Sequence, residues 1–335
     1  MEPPTNYGHG NRAFLQALLA RGTLTYPEAR PIIAAIINAD NAKNPDSEEC
    51  RPDQVSEQIF MKYIDKASSA VSLFDYEIRS TQHQATKERI FALVNTASDP
   101  QTQLATIYSP EELSFIKRVL DAMFEKFNRP RMESLCITEM QAIKLARPPR
   151  RESQGGDEPQ SQAPVDRGLK HSEVENVLES LVEGGWFEIS REGFYSLSPR
   201  ALMELRPWLV DMYNDADAEP NDWQRIKFCE ACKEIVTWGL RCSDPDCTLR
   251  LHDICQQAFW RSRRGTTCPK CSREWTGDHY VGERAITMTE AYQRGRRRSG
   301  GHRNTLADDV IREQGAEEES EGEEVGGGEE EEEEE

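Results

Sequence analysis

Near the start of the chain, Phe14, Leu15, Leu18 and Leu19 recur at helical spacing, and Gly22 stands where that helix ends. Thr25 and Glu28 form a capping box with Pro27 in the first turn, which opens a second helix over 29–37. A polar loop with Pro45 and Pro52 follows. Val55, Ile59, Tyr63 and Ala67 then keep an i, i+4 rhythm for a third helix. Leu73 with Asp75 to Arg79, and Arg89 to Asn95, read as two strands around a polar tip, Ser80 to Lys87.

The same order returns after Asp99-Pro100. Ser109-Pro110-Glu111-Glu112 starts a helix, and Leu113, Ile116, Leu120, Met123, Phe124 and Phe127 give it a broad apolar stripe. Leu135 to Leu145 predicts a shorter helix. Ser172 with Glu175 opens a third, whose face is Val174, Val177, Leu178, Leu181 and Val182 and which Gly184-Gly185 stops. Trp186 to Ser190 and Phe194 to Ser198 form a hairpin around Arg191-Glu192-Gly193, and Ser198-Pro199 caps a last helix through Leu209. Three helices and a hairpin, twice over, is the order of two tandem winged-helix domains, expected at 1–100 and 101–210.

Composition refines this layout. Residues 146–168 mix Pro, Gln, Ser, Gly and charge, and are expected to be a disordered insertion. Residues 211–224 read as an acidic linker, 225–280 as a zinc module, and 281–335 as a disordered tail, basic then acidic. Thirteen glutamates between Glu317 and Glu335 supply most of the net charge of −19, so overall acidity says little about what the folded part binds. The longest apolar run, Ile32 to Ile37, is far too short to span a bilayer, and the N-terminus lacks a secretory layout. No membrane association is expected.

The chemistry concentrates near the end of the patterned region. Seven of the nine cysteines lie between Cys229 and Cys271, with one histidine at ligand spacing. In order the candidate ligands are Cys229, Cys232, Cys242, Cys247, His252, Cys255, Cys268 and Cys271, four short-spaced pairs. Two thiolates in one tight turn can both reach a single Zn²⁺ at about 2.3 Å, and eight ligands make two closed tetrahedral sites, which are structural. Clustered metal-spaced cysteines point to a reducing compartment. The order C-C, C-C, H-C, C-C fits an interleaved cross-brace. Cys229, Cys232, His252 and Cys255 then hold one ion, and Cys242, Cys247, Cys268 and Cys271 the other. A segment of about forty residues rarely builds a sufficient core alone, so the ions supply much of its folding free energy. A short helix between Ile254 and Arg263 carries Ala258, Phe259 and Trp260.

Cross-braced modules are mainly histone-reading PHD fingers and ubiquitin-pathway RINGs, and the ligand order is shared by PHD fingers and variant RINGs. Thr266 stands where a PHD finger carries an aromatic residue, whereas Cys268-Pro269-Lys270-Cys271 followed by Trp275 is RING-like. The run through Leu251-His252, Phe259-Trp260 and this last pair resembles the variant RING of the non-structural maintenance of chromosomes element 1 family. The opening helix, Asn11-Arg12-Ala13-Phe14-Leu15-Gln16-Ala17-Leu18-Leu19, is similar too.

The resemblance implies an α+β chain of two winged helices and a two-zinc variant RING. It also implies a subunit of a nuclear, chromosome-bound SMC complex in DNA repair and recombination. The implied partners are a MAGE-domain subunit gripped by the winged helices, a kleisin, the SMC heterodimer and a ubiquitin-conjugating enzyme. In RINGs resembling this one, conjugating-enzyme docking uses positions that fall here on Ala231, Phe259 or Trp260, and Pro269. Ala231 is smaller than the usual Ile or Val, and Ser272 replaces a frequent arginine. A non-catalytic scaffold subunit therefore remains the alternative to a RING-type E3 ubiquitin ligase.

Direct DNA binding has a weaker sequence basis. The third helix of the second unit presents Glu173, Glu175, Glu179 and Glu183, which would meet phosphates at a like-charge penalty. The first unit's hairpin carries a modest basic cluster, Arg79, His83, Lys87 and Arg89. The run Arg294-Gly295-Arg296-Arg297-Arg298 could touch nucleic acid or simply be solvated. Contact with DNA is expected mainly through the complex.

Overall fold

The computed structural model describes residues 7–42, 48–96, 107–148, 166–219, 222–263, 265–298 and 306–312. They fall into two compact units. The first takes residues 1–110, 177–188 and 197–212, and the second 111–176, 189–196 and 213–335. Among the described residues, no helix is long and apolar enough to cross a membrane.

The first unit begins with α1 (His9–Arg21), β1 (Thr23–Thr25), α2 (Tyr26–Asn41), α3 (Glu57–Val71) and a hairpin of β2 (Tyr76–Gln82) and β3 (Arg89–Asn95). Gly22 closes α1 at φ 71, a left-handed value that its missing Cβ permits. Thr25 and Glu28 make the expected capping box, and Pro27 occupies the first turn of α2. Phe60 sits at the centre of the core, edge-on to Phe91 at 5.0 Å and to Phe14 at 6.3 Å. Leu18, Leu24, Ile33 and Ile64 close round it.

Two details of this unit differ from the sequence pattern. Of the expected α3 stripe, Val55 and Ala67 are buried, but its middle is taken by Phe60 and Ile64, with Ile59 and Tyr63 only partly buried. Leu19 is 54% exposed, because α1 packs on one side only. The sheet also gains a third strand: β1 joins β3 from the opposite side to β2, in the order β1-β3-β2. Three residues, Thr-Leu-Thr, are too few to show alternation.

The rest of the first unit comes from later in the chain. It contains the distal part of α6 (His171–Glu183), α7 (Pro199–Glu204), capped by the Ser198 side chain, and most of α8 (Arg206–Tyr213). Arg79 donates to the Met203 carbonyl at 3.3 Å and pairs with Glu77, while His83 Nε2 lies 3.0 Å from Glu188. Two members of the basic hairpin cluster are thus engaged within the fold.

The second unit starts with α4 (Pro110–Asp121), which widens into a π-helical turn over Ala122–Lys126. The expected helix at 135–145 is a two-residue strand, β4 (Ile137–Thr138), followed by α5 (Glu139–Lys144), whose capping box joins Thr138 and Gln141. α6 begins at His171 rather than at a Ser172 cap, with Glu173 accepting from the Lys170 amide. β5 (Phe187–Ile189) and β6 (Phe194–Leu197) give a second sheet in the order β4-β6-β5.

The expected insertion and linker are tied down where they are described. Arg118 donates to the carbonyls of Leu145 and Ala146 and pairs with Asp166 at 2.6 Å, while the Leu169 amide bonds Ala146. Residues 149–165 lie outside the described residues. Of the acidic linker, Asp211 to Tyr213 complete α8, and Asn214 exchanges hydrogen bonds with the backbone of Ile226.

The zinc module comprises β7 (Gly239–Arg241), β8 (Arg250–Leu251), α9 (Asp253–Arg263) and β9 (Tyr280–Val281), with the sheet order β8-β7-β9. Order does not stop at 280, which corrects the expected start of the disordered tail. α10 (Arg284–Thr287), α11 (Glu290–Arg298) and a last helical segment, 306–312, are folded. Their apolar anchors Ile286, Tyr292, Ala307, Val310 and Ile311 are buried, and Gly295 admits Leu306 to a distance that any Cβ would block. These anchors are few and lie among charged residues, arginines near Tyr292 and aspartates near Val310, and so escape a periodicity reading. The acidic stretch 313–335 lies outside the described residues.

Replacing Phe60 with Ala is expected to destabilise the first unit by about 3–5 kcal/mol, read as a lower urea midpoint. His83 is raised above its usual 6.5 by its hydrogen bond to Glu188. Its stabilisation is therefore complete below the ordinary histidine pKa and fades as pH rises through the raised one. His83→Gln should flatten that dependence, with an effect below about 1 kcal/mol, seen by thermal denaturation across pH.

Candidate metal centre

The eight expected ligands form two groups. Cys229, Cys232, His252 and Cys255 lie together, as do Cys242, Cys247, Cys268 and Cys271, with all donor atoms of a group within 4.8 Å of one another. The interleaved pairing is therefore the observed one. Cys232 Sγ is 3.2 Å from His252 Nδ1, Cys242 Sγ is 3.4 Å from Cys271 Sγ, and Cys247 Sγ is 3.5 Å from Cys268 Sγ. Donors arranged tetrahedrally about one ion at about 2.3 Å are separated by about 3.7 Å, so both groups fit Zn²⁺.

Local backbone explains how the chain makes these sites. The first and last cysteine pairs sit on matching tight turns. The Lys233 amide bonds the Cys229 carbonyl and the Ser272 amide bonds the Cys268 carbonyl, both at close range. The residue after each pair, Lys233 at φ 62 and Ser272 at φ 61, takes the left-handed conformation that closes the turn. The flanking bridges Phe228↔Ile235 and Thr267↔Glu274 hold each turn in register. His252 lies just before α9, and its Nε2 donates to the Ile235 carbonyl at 3.1 Å. That bond leaves the Nδ1 lone pair for the metal and fixes the ring.

The donor chemistry also asks for a cation. The Cys229 thiol is pulled down to about 3, chiefly by its hydrogen bond with the Cys232 thiol and with help from the Cys232 and His252 backbone amides, while Cys232 is pushed far up by the proton it shares with Cys229. In the other group Cys271 rises to about 11, chiefly through burial. Four such donors cannot all ionise side by side without a positive centre, and a dication removes the conflict. Outside the groups, Cys136 is buried and its thiol is raised by that burial, so it is no nucleophile.

The docking candidates are distributed unevenly. Ala231 and Pro269 are exposed, on the first and last turns, and Trp260 is half-buried on α9. Phe259 is 7% exposed, edge-on to Trp260 at 4.9 Å, and belongs to the packing beneath the surface. Lys270 reaches Glu230 at 3.7 Å and the Thr248 hydroxyl at 2.8 Å, which brings the Ala231 and Pro269 turns to one edge of the module.

Sequence reasoning missed a buried charge cluster behind the sites. Arg250 is fully buried and forms a two-pronged pair with Glu133, with 2.8 Å on the Nε prong. Lys227 joins the same carboxylate at 3.2 Å. Burial alone would raise the Glu133 carboxyl, but Arg250 and Lys227 outweigh it and hold the group at about 2. Burial in turn draws the Lys227 ammonium down to about 8 despite Glu133. Charged residues far apart in sequence carry no periodic signal.

Comparison with known proteins agrees with this architecture. The family model described as Nse1 non-SMC component of SMC5-6 complex matches residues 11–205, and one described as RING-like domain matches 229–271. A rat relative named non-structural maintenance of chromosomes element 1 homolog is 21% identical over 80% of this chain and 84% of its own. The Schizosaccharomyces pombe protein of that name is 25% identical over 65% and 78%. A Xenopus laevis relative, at 26% identity, is matched over 56% of its length. A chain of a solved Nse1-Nse3-Nse4 complex has the same fold, with a TM-score of 0.59 and 21% identity over 82% of this chain and 99% of that one.

Two zinc ions per chain are expected by elemental analysis, and exhaustive chelation should abolish the near-ultraviolet signal of Trp260 and Trp275, which lie 5.3 Å apart in the module. With winged-helix architecture, two interleaved cysteine-histidine groups and a family match over more than half its length, the chain belongs to the Nse1 family of non-SMC components of the SMC5-6 complex.

Proposed function

We propose that this chain is the RING-type E3 ubiquitin ligase subunit of an SMC5-6 complex, acting at chromosomes in the nucleus in DNA repair and recombination. The observation that carries the reading is the shared edge of the zinc module. Exposed Ala231 and Pro269 are brought together there by the Glu230–Lys270 contact, with the Trp260 helix in the same module. An apolar edge framed by opposite charges suits a folded partner surface such as a conjugating enzyme.

The chemistry asked of this chain is positional. A ubiquitin thioester on the conjugating enzyme is attacked by a substrate lysine amine, and the RING holds the thioester in a reactive geometry. The module's cysteines all serve as zinc ligands, so no covalent intermediate forms on them. The Nse1-Nse3-Nse4 composition of the similar solved complex supports assembly with a MAGE-domain subunit and a kleisin, and through them with the SMC heterodimer. The acidic exposed face of α6, with Glu175, Glu179 and Glu183, suits protein rather than DNA. Small Ala231 and left-handed Ser272 make a weak RING, one whose activity rises when the MAGE-domain partner is bound.

The test is discharge of a ubiquitin-charged conjugating enzyme by the purified chain, alone and with its MAGE-domain partner. Discharge should rise with the partner. Pro269→Ala and Trp260→Ala should each lower it about tenfold, equivalent to about 1.4 kcal/mol at the docking surface, with zinc content unchanged. No discharge across a panel of conjugating enzymes from protein holding two zinc ions would favour a scaffold role.

A further inference from the structure

Two arginines behind the metal centre do more than fill space. Arg241 and Arg250 face one another across the β7–β8 pair. Each donates to the backbone carbonyl of a ligand of the four-cysteine site: Arg241 to Cys242 at 3.2 Å, and Arg250 to Cys247 at 2.6 Å. Each is also gripped by one short stretch of the winged-helix sequence. Arg241 donates to the Arg131 carbonyl at 2.9 Å, and Arg250 forks onto Glu133. That stretch is pinned in its turn, since the Gly282 amide donates to the Glu133 carbonyl at 2.7 Å and Asn128 donates to the Arg225 carbonyl at 2.7 Å.

The two sites are held differently. Cys242 and Cys247 are not joined by one tight turn like the first and last cysteine pairs: the Cys247 amide closes a turn on the Asp244 carbonyl, the Cys242 amide bonds Leu249, and the arginines hold both ligand carbonyls. The site with His252 has its ring held by the Ile235 carbonyl and its first turn by the Glu230 amide on the Arg250 carbonyl, so it shares the Arg250 backbone but not the bonds that Arg241 makes. The residues between 131 and 133 also lie far outside the stretch 229–271 that matches the RING-like domain.

We propose that Glu133, through Arg250, and the Arg131 carbonyl, through Arg241, are positioning elements for the four-cysteine zinc site, so that the winged-helix part of the chain governs retention of that one ion. Groups that orient metal ligands from outside typically change affinity by about 10–100-fold when removed. The inference rests on zinc occupancy of both sites and not on ligase activity.

The experiment follows zinc release from the full-length protein into excess chelator, with cobalt(II)-loaded samples to tell the all-sulfur site from the histidine-containing one by their visible bands. Glu133→Gln should speed loss from the all-sulfur site by about tenfold, more than from the other site, which Glu133 reaches only through Lys227 and the Arg250 backbone. Arg241→Met removes the Cys242 carbonyl bond without leaving a buried carboxylate unpaired, so it decides the matter where Glu133→Gln folds poorly, and the same selective release is expected. Equal acceleration at both sites, or release unchanged from wild type in Arg241→Met, would overturn the proposal. A wild-type chain holding fewer than two ions would overturn the metal-centre reading and this inference together, and it is distinguishable because it needs no variant.

Discussion

Eight donor atoms from four separate pairs must converge on two points, and the rest of the zinc module is arranged around that demand. The segment has a small apolar core, with Leu240, Leu249, Leu251, Phe259 and Trp275 among its buried residues. Hydrophobic burial on that scale does not by itself offset the entropy of ordering such a segment. Metal coordination makes up the difference, and its interleaved pattern means that neither half of the module closes without the other. Chain order alone gives the cross-brace its cooperativity.

The buried ions behind the sites are best understood against the same demand. A fully buried guanidinium with no partner is among the most unfavourable groups a fold can contain, and Glu133 answers it with a fork-to-fork pair. The pair links a stretch between α4 and β4 to the strand that carries the approach to His252. It is a specific constraint more than a large net source of stability. An apolar trio of similar volume would serve packing as well, but it would not hold the ligand carbonyls.

Much of this was legible in the sequence, and the limits have physical causes. The eight ligands followed from spacing, and their pairing from the order of the pairs, which fits a cross-brace where spacing alone equally allows adjacent pairs to share an ion. Caps at Thr25 and Ser198 and the stop at Gly22 were readable because they are local backbone chemistry. β1 and β4 were not, being two or three residues long and held only by partners distant in the chain. The ordered part beyond 280 went unread because its anchors are few and lie among charged residues, arginines around Tyr292 and aspartates around Val310. Exposure misled most: Leu19 points outward although its periodicity places it inside, while Phe259 is buried although its position suggested a docking surface.

Arg118 stitches together the two ends of the chain where residues 149–165 depart and return, bonding Leu145 and Ala146 on one side and Asp166 on the other. Gly168 lets the returning strand lie against the Ala146 carbonyl at a separation no side chain would allow. The neck is thus closed by contacts among described residues alone, on both sides of 149–165. The consequence is that the second winged helix is pinned at this neck by one guanidinium, so its integrity at this point is set by Arg118 and not by proximity in sequence.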